Sequence, residues 1–155
     1  NCDSFLILRT AWLFSEYGNN FLKTILRLSL ERDNLEIVSD QIGCPTYAGH
    51  LAEVIIKTIP KLLSGDFKKG LFHYAGDVPC SWYDFAKIIL STASKNDYLN
   101  KIPELNKVTT EEYISAAKRP RYSVLDSSSF CEFFEVLPSN WREALPSIIL
   151  KTKLS

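Results

Sequence analysis

The run Phe5-Leu6-Ile7-Leu8 is apolar at every position and stops at Arg9-Thr10. A strand with one wet face alternates, whereas an unbroken run belongs to a strand covered on both faces, as in a parallel sheet flanked by helices. Such a strand also needs neighbours along its edges. A chain of 155 residues that opens on one is expected to be α/β and to lean on polypeptide outside itself. The sequence contains no methionine, which fits a segment of a longer reading frame.

The remaining elements alternate. Asn19-Asn20 is expected to cap a helix reaching about Arg32, with Phe21, Leu22, Ile25, Leu26 and Leu28 on one side. Leu35–Val38 reads as a short strand. A helix from about Ala48 carries Leu51, Val54, Ile55, Ile59, Leu62 and Leu63; Pro60 should kink or end it, and Ser64-Gly65-Asp66 closes it. Gly70–Gly76 reads as another strand, ending on a glycine. Ser81 starts a helix, with Asp84 three residues on as a weak capping box and Trp82, Phe85, Ala86, Ile89 and Leu90 as its buried stripe. From Asn96 to about Tyr122 the periodicity fades. Ser123–Asp126 suits a brief strand, and short helices are expected near 128–133 and 140–150.

Eighteen basic and eighteen acidic residues cancel, which argues against nucleic acid as a partner, since phosphate backbones demand a basic surplus. No apolar stretch approaches the roughly 20 residues of a membrane span, and Asn1–Ser4 has no basic signal-peptide region. Cysteines at 2, 44, 80 and 131 show neither C-x-x-C spacing nor interleaved histidines. Neither a metal site nor a disulfide framework is expected, and reduced thiols point to the cytoplasm. His50 and His73 read as packing or surface residues.

Between the Leu35 strand and the Ala48 helix lies Asp40-Gln41-Ile42-Gly43-Cys44-Pro45-Thr46. Asp and Gln offer carboxylate and amide contacts, Gly43 permits close backbone approach, and Pro45 stiffens the exit. The loop suits a ligand wall, although the same Gly and Pro would serve a plain turn.

Taken in order, Leu8-Arg9-Thr10-Ala11-Trp12-Leu13-Phe14, Gly18-Asn19-Asn20-Phe21 and the Asp40–Thr46 loop resemble the extended short-chain dehydrogenase/reductases, and within them the dTDP-4-dehydrorhamnose reductases. His73-Tyr74-Ala75-Gly76, Ser81-Trp82-Tyr83-Asp84-Phe85-Ala86, Lys118-Arg119-Pro120, Ser123–Asp126 and Leu137-Pro138 with Trp141 fit the same pattern. The similarity covers nearly all of the chain but only the C-terminal part of such an enzyme. The family's glycine-rich dinucleotide loop and Tyr-x-x-x-Lys pair are not found; Tyr83–Lys87 has the spacing, but lies in the Ser81 helix and is assigned to packing and surface. Ala11 and Ser15 depart from the small polar residue and glycine common in the family.

The resemblance implies a Rossmann-type parent whose sheet includes the strands near 5–9 and 71–75, with residues 1–155 as a single C-terminal sugar-nucleotide-binding portion. The parent would reduce dTDP-4-dehydro-L-rhamnose with NADPH or NADH. No catalytic residue is assigned here, and this chain alone is expected to bind no cofactor and to be inactive. Trp12 is the first candidate for the sugar, its indole suiting a C–H surface. Arg119 is the candidate diphosphate partner, with Arg121 two residues on as its substitute. Asn20, Gln41 and Thr46 are candidate nucleotide contacts. Arg9 and Thr10 are assigned to the cofactor side, with a structural ion pair equally open to Arg9. Trp82 and Trp141 are assigned to packing. The expected partners are a dTDP-sugar and either the missing N-terminal half or a second copy. Two other readings stay open: a non-catalytic relative similar to the regulatory subunit of methionine adenosyltransferase, and another sugar-nucleotide epimerase or dehydratase.

Overall fold

Four short strand pairs, rather than one broad sheet, organise the chain in the computed structural model, which describes residues 5–65, 69–114 and 117–152. Strand β1 (Leu6–Arg9) runs parallel to β6 (Gly70–His73), with Ile7 opposite Leu71 and Arg9 opposite His73. β2 (Leu13–Phe14) runs parallel to β5 (Thr46–Tyr47), and β3 (Asn34–Val38) to β8 (Glu104–Val108). β4 (Ile42–Gly43) is antiparallel to β7 (Cys80–Ser81). The fold is α/β, with parallel pairs joined through helical crossovers.

Helix α1 (Phe21–Glu31) buries Leu22, Ile25 and Leu26, the spacing that puts three side chains on one face. It packs on α3 (Trp82–Lys95), which turns Phe85, Ala86, Ile89, Leu90 and Ala93 inward. α5 (Trp141–Lys151) closes this core with Trp141, Leu145, Ile148 and Ile149. Each buried Leu, Ile or Phe among them contributes about 1.5–3 kcal/mol by leaving water. A smaller core lies under the β1–β6 pair. There Phe72 and Tyr74 meet Val54 of α2 (Ala48–Ser64) and Phe130 and Phe134 of α4 (Ser128–Phe134), with Leu6 and Leu8 packed alongside.

Three expectations need correction. Pro60 does not end the helix: α2 continues to Ser64 and is stopped by Gly65 in the left-handed conformation. Within the stretch read as aperiodic, Glu104–Val108 is a strand; only one face of it meets the core, so its apolar content is thin. Ser123–Asp126 is not a strand, because it meets only the two-residue β4, through a bridge from Ile42 to Tyr122 and a bond from Ser123 N to Ile42 O.

The opening strand departs from a doubly covered one in an instructive way. Leu6 and Leu8 face the smaller core, but Phe5, Ile7 and Leu71 are 42%, 50% and 45% exposed. Among the described residues β1 pairs with β6 alone, so one face and one edge of an apolar strand stand open.

Candidate functional site

The Asp40–Thr46 loop is stitched down on two sides, and this builds the site. On one side β5 pairs with β2, and Thr46 N donates to Trp12 O at 3.1 Å. On the other side β4 pairs with β7, immediately before Trp82 starts α3. Ser81 is a full capping residue: its Oγ accepts from Asp84 N at 3.0 Å, while the Asp84 carboxylate accepts from Ser81 N and Oγ. Trp82 is therefore fixed in the first helical turn. Trp12 has a φ of 50°, a left-handed conformation costly for a bulky residue. That turn swings its ring over the loop.

The two indoles stack, with centroids 3.4 Å apart and planes 5° from parallel, and Phe21 packs on Trp82 at 4.5 Å. Trp12 also lies tight against Gly43, where an added Cβ would lie 2.3 Å from Cε2 and 2.5 Å from Nε1. Only a glycine lets backbone and indole approach so closely. Gly76 plays the same part deeper in, where an added Cβ would stand 2.0 Å from the Pro45 carbonyl oxygen.

A cleft of about 550 Å³ opens beside this stack, walled by Trp12, Trp82 and Phe21 on one side and by Tyr113, Lys118 and Arg119 on another, with Gln41 and Glu36 between. A smaller recess of about 200 Å³ shares Trp12, Gln41, Trp82 and Arg119 with it. Those four residues sit where the two spaces meet. Flat apolar rings next to paired cations and an amide suit a ligand with a ring system and an anionic group.

The structure brings together Trp12, Gln41 and Arg119 from the sequence candidates. The others stand elsewhere. Asn20 caps α1: its Oδ1 accepts from Lys23 N, and its Nδ2 donates to Ser15 O and Tyr17 O. Thr46 is wholly buried, its hydroxyl donating to Cys44 O. Arg121 turns to Glu111 and Asp40 rather than into the cleft. Arg9 is exposed at the end of β1 and makes no ion pair among the described residues, while Thr10 Oγ1 and His73 Nε2 are buried there without a hydrogen-bond partner among them. Neither Arg9 nor Thr10 lines the cleft. Trp82, expected in the helix's buried stripe, is half-buried: it packs against the core and also walls the cleft. Trp141 is wholly buried and donates from Nε1 to Val78 O. Sequence reasoning also passed over Phe21, Tyr113 and Lys118. The proximity of Lys118 to Arg119 was the one available signal.

Local charge follows the same geometry. Hydrogen bonds from Thr110 hold Asp40 below the usual carboxylate range, with Arg121 adding to the effect. Burial pushes the Cys44 thiol up, so it is no candidate nucleophile.

The parallel strand pairs linked by helices make an α/β protein, and comparison with known proteins places it among Rossmann-like folds related to the short-chain dehydrogenase/reductases. Within that class the chain belongs to the RmlD substrate binding domain family of the dTDP-4-dehydrorhamnose reductases, whose model matches residues 1–154. It is 46% identical over 144 residues to a dTDP-4-dehydrorhamnose reductase of Aggregatibacter actinomycetemcomitans, covering 92% of this chain and 49% of that protein. It is 36% identical over 141 residues to that of Salmonella typhimurium, covering 91% and 47%. The crystal structure of the Bacillus anthracis dTDP-4-dehydrorhamnose reductase in complex with NADP superposes with a TM-score of 0.81 at 37% identity, covering 97% of this chain and 49% of that one. The chain thus spans about half the length of the relatives it matches. Among the described residues no helix is long and apolar enough to cross a membrane.

Proposed function

We propose that this chain is the sugar-nucleotide-binding half of an NAD(P)H-dependent reductase that converts dTDP-4-dehydro-L-rhamnose to dTDP-L-rhamnose. The observation that carries the reading is the cleft in which the Trp12–Trp82 stack stands beside Lys118 and Arg119. A dTDP-sugar has a flat base, a sugar with C–H faces and a diphosphate. The aromatic wall suits the first two, and the cations suit the third. Because Trp82 stacks on Trp12 and Gly43 lies in close contact with the same indole, Trp12 is held rigidly where it meets a ligand.

The strands β1 and β6 belong, in this reading, to the Rossmann sheet of a longer parent. Their exposed Phe5, Ile7 and Leu71 form an apolar surface that the rest of the parent, or a second copy, would cover. The described residues hold no glycine-lined cradle for a dinucleotide pyrophosphate, so no cofactor step is assigned to them. The cofactor would supply the hydride. Arg9 and Thr10 are assigned to its side in this reading, and the Thr10 hydroxyl, buried without a hydrogen-bond partner among the described residues, fits a group arriving from outside the chain.

Calorimetry with dTDP on the 155-residue chain and on Trp12→Ala and Arg119→Ala tests the site. Binding that weakens in both variants is expected, and unchanged affinity in both would sink it. No NADPH oxidation dependent on dTDP-4-dehydrorhamnose is expected of this chain alone. Sedimentation should show self-association, and a monomer at high concentration would remove the open-edge argument.

A further inference from the structure

We propose that Asp40 is a positioning residue of this cleft: it ties down both flanks of the wall that carries Lys118 and Arg119, and so sets where those cations stand. The assignment of the two cations to a diphosphate rests on the function proposed above, but the tie itself does not.

Two described stretches, 109–114 and 117–123, bring Thr110, Tyr113, Lys118 and Arg119 to the cleft. Asp40 reaches both. Its Oδ1 accepts from Thr110 N at 2.9 Å and from Thr110 Oγ1 at 2.7 Å. Its Oδ2 lies 3.8 Å from Arg121 Nε, and Arg121 in turn pairs with Glu111, the neighbour of Thr110. One carboxylate therefore links the start of the wall to its end, and the Arg121–Glu111 pair closes the ring. The backbone on either side repeats the join: Ser39 N donates to Val108 O at 3.0 Å, Ile42 N to Arg121 O at 2.8 Å, and Ser123 N to Ile42 O at 2.8 Å.

The ring also has a direct line into the cleft. The single proton of the Thr110 hydroxyl goes to Asp40, which leaves its oxygen to accept from Gln41 Nε2 at 3.1 Å. Gln41 is one of the four residues where the two recesses meet. Reversing the hydroxyl would free Gln41, so the charge on Asp40 orients an amide that faces the ligand space. Asp40 itself does not line the cleft and acts through these neighbours. The same geometry gives Arg121 to the tie rather than to a phosphate.

An asparagine at 40 has the same shape but puts an NH₂ where one of two sets of donors already points, so one side of the tie must break. The chain has its own reporter for the result. Trp12 and Trp82 are half-buried in the cleft, while Trp141 is 0% exposed, so acrylamide quenching of tryptophan fluorescence reads how well the wall shields the stack. Asp40→Asn should raise the quenching constant and weaken dTDP binding about tenfold, the weight of one or two charge-assisted hydrogen bonds. Thr110→Val should move both readouts in the same direction and serves if Asp40→Asn folds poorly. Adding Arg121→Gln to Asp40→Asn should cost little more than either alone, whereas additive losses would return Arg121 to the ligand. Lys101→Ala, which breaks only the exposed pair with Asp33, should change nothing. Quenching at the wild-type value in Asp40→Asn, with a native circular dichroism spectrum, overturns the tie. Raised quenching with dTDP affinity unchanged overturns the positioning role. If the wild-type chain fails to bind dTDP while Asp40→Asn still raises quenching, the tie stands and the sugar-nucleotide reading falls.

Discussion

Trp12 and Trp82 reach one another from opposite sides of the Asp40–Thr46 loop, and their rings lie 3.4 Å apart and 5° from parallel. The first arrives on a left-handed residue beyond β1, the second in the first turn of α3. Neither element alone would hold an indole at the cleft wall. Together with Gly43 and Phe21 they make a fixed aromatic block, and most of the testable behaviour of the site follows from it.

Trp82→Ala should harm ligand binding as much as Trp12→Ala, because it removes the support on one face of Trp12. A stacked aromatic pair contributes about 0.5–1.5 kcal/mol beyond its buried area, and a stability loss of at least that size is expected in urea titrations. Trp82→Phe should keep most of both. Near-UV circular dichroism reads the stack directly: wild-type-like signal in Trp82→Ala would show that the pair is not rigid in solution.

Gly43→Ala adds a single methyl group, which would lie 2.3 Å from Trp12 Cε2. Overpacking of this kind typically costs about 1–3 kcal/mol, and here the yielding part is the indole, which must leave Trp82. The expected outcome is a modest fall in the unfolding midpoint with a larger fall in dTDP affinity. An alanine variant that binds as the wild type does would mean that Trp12 is free to move.

The fold was legible wherever one face of an element is strongly apolar. The α1 and α3 stripes and the apolar β1 run are of this kind. Glu104–Val108 escaped because a strand that buries little beyond Leu105 has no pattern to read. The Asp40–Thr46 loop stood out through Gly and Pro, and Gln41 does face the cleft. Thr46 does not: its burial comes from pairing with Leu13, a contact between distant parts of the chain. Asn20 was legible as a cap, which leaves its polar atoms engaged within the chain. Trp82 was hidden by the opposite problem. Its helical position matched a core stripe, and only the β4–β7 pairing turns that first turn toward the cleft.

Ser81→Ala tests how that first turn is held. The substitution removes a cap that satisfies the Asp84 amide and releases the Asp84 carboxylate from the Ser81 hydroxyl, at a cost of about 0.5–2 kcal/mol. Since Trp82 follows directly, fraying should loosen the aromatic stack as well as lower stability. Ser81→Thr, which keeps the hydroxyl that donates to Asp84, should restore much of both. A variant with lowered stability but an unchanged near-UV spectrum would separate the cap from the stack.

Alkaline pH should destabilise the chain through two groups that do not line the cleft. Burial pushes the Cys80 thiol up to about 12 from 9.0, with Arg142 opposing, and pushes the Tyr74 phenol up to about 12 from 10.0. Both are neutral in the folded protein at pH values where the unfolded chain already loses their protons. The unfolded state then binds fewer protons than the native one, so stability is full below about pH 9 and falls as pH rises from there toward 12. Each group adds a slope of at most about 1.4 kcal/mol per pH unit. Urea midpoints measured at steps from pH 8 to 11 should decline, and Cys80→Ala should flatten the early part of the decline even if it lowers the midpoint overall. Tyr74→Phe should flatten the later part. A level profile through pH 11 in the wild type would mean that neither group is held away from water in solution, and the two cores that bury them would have to be looser than this structure draws them.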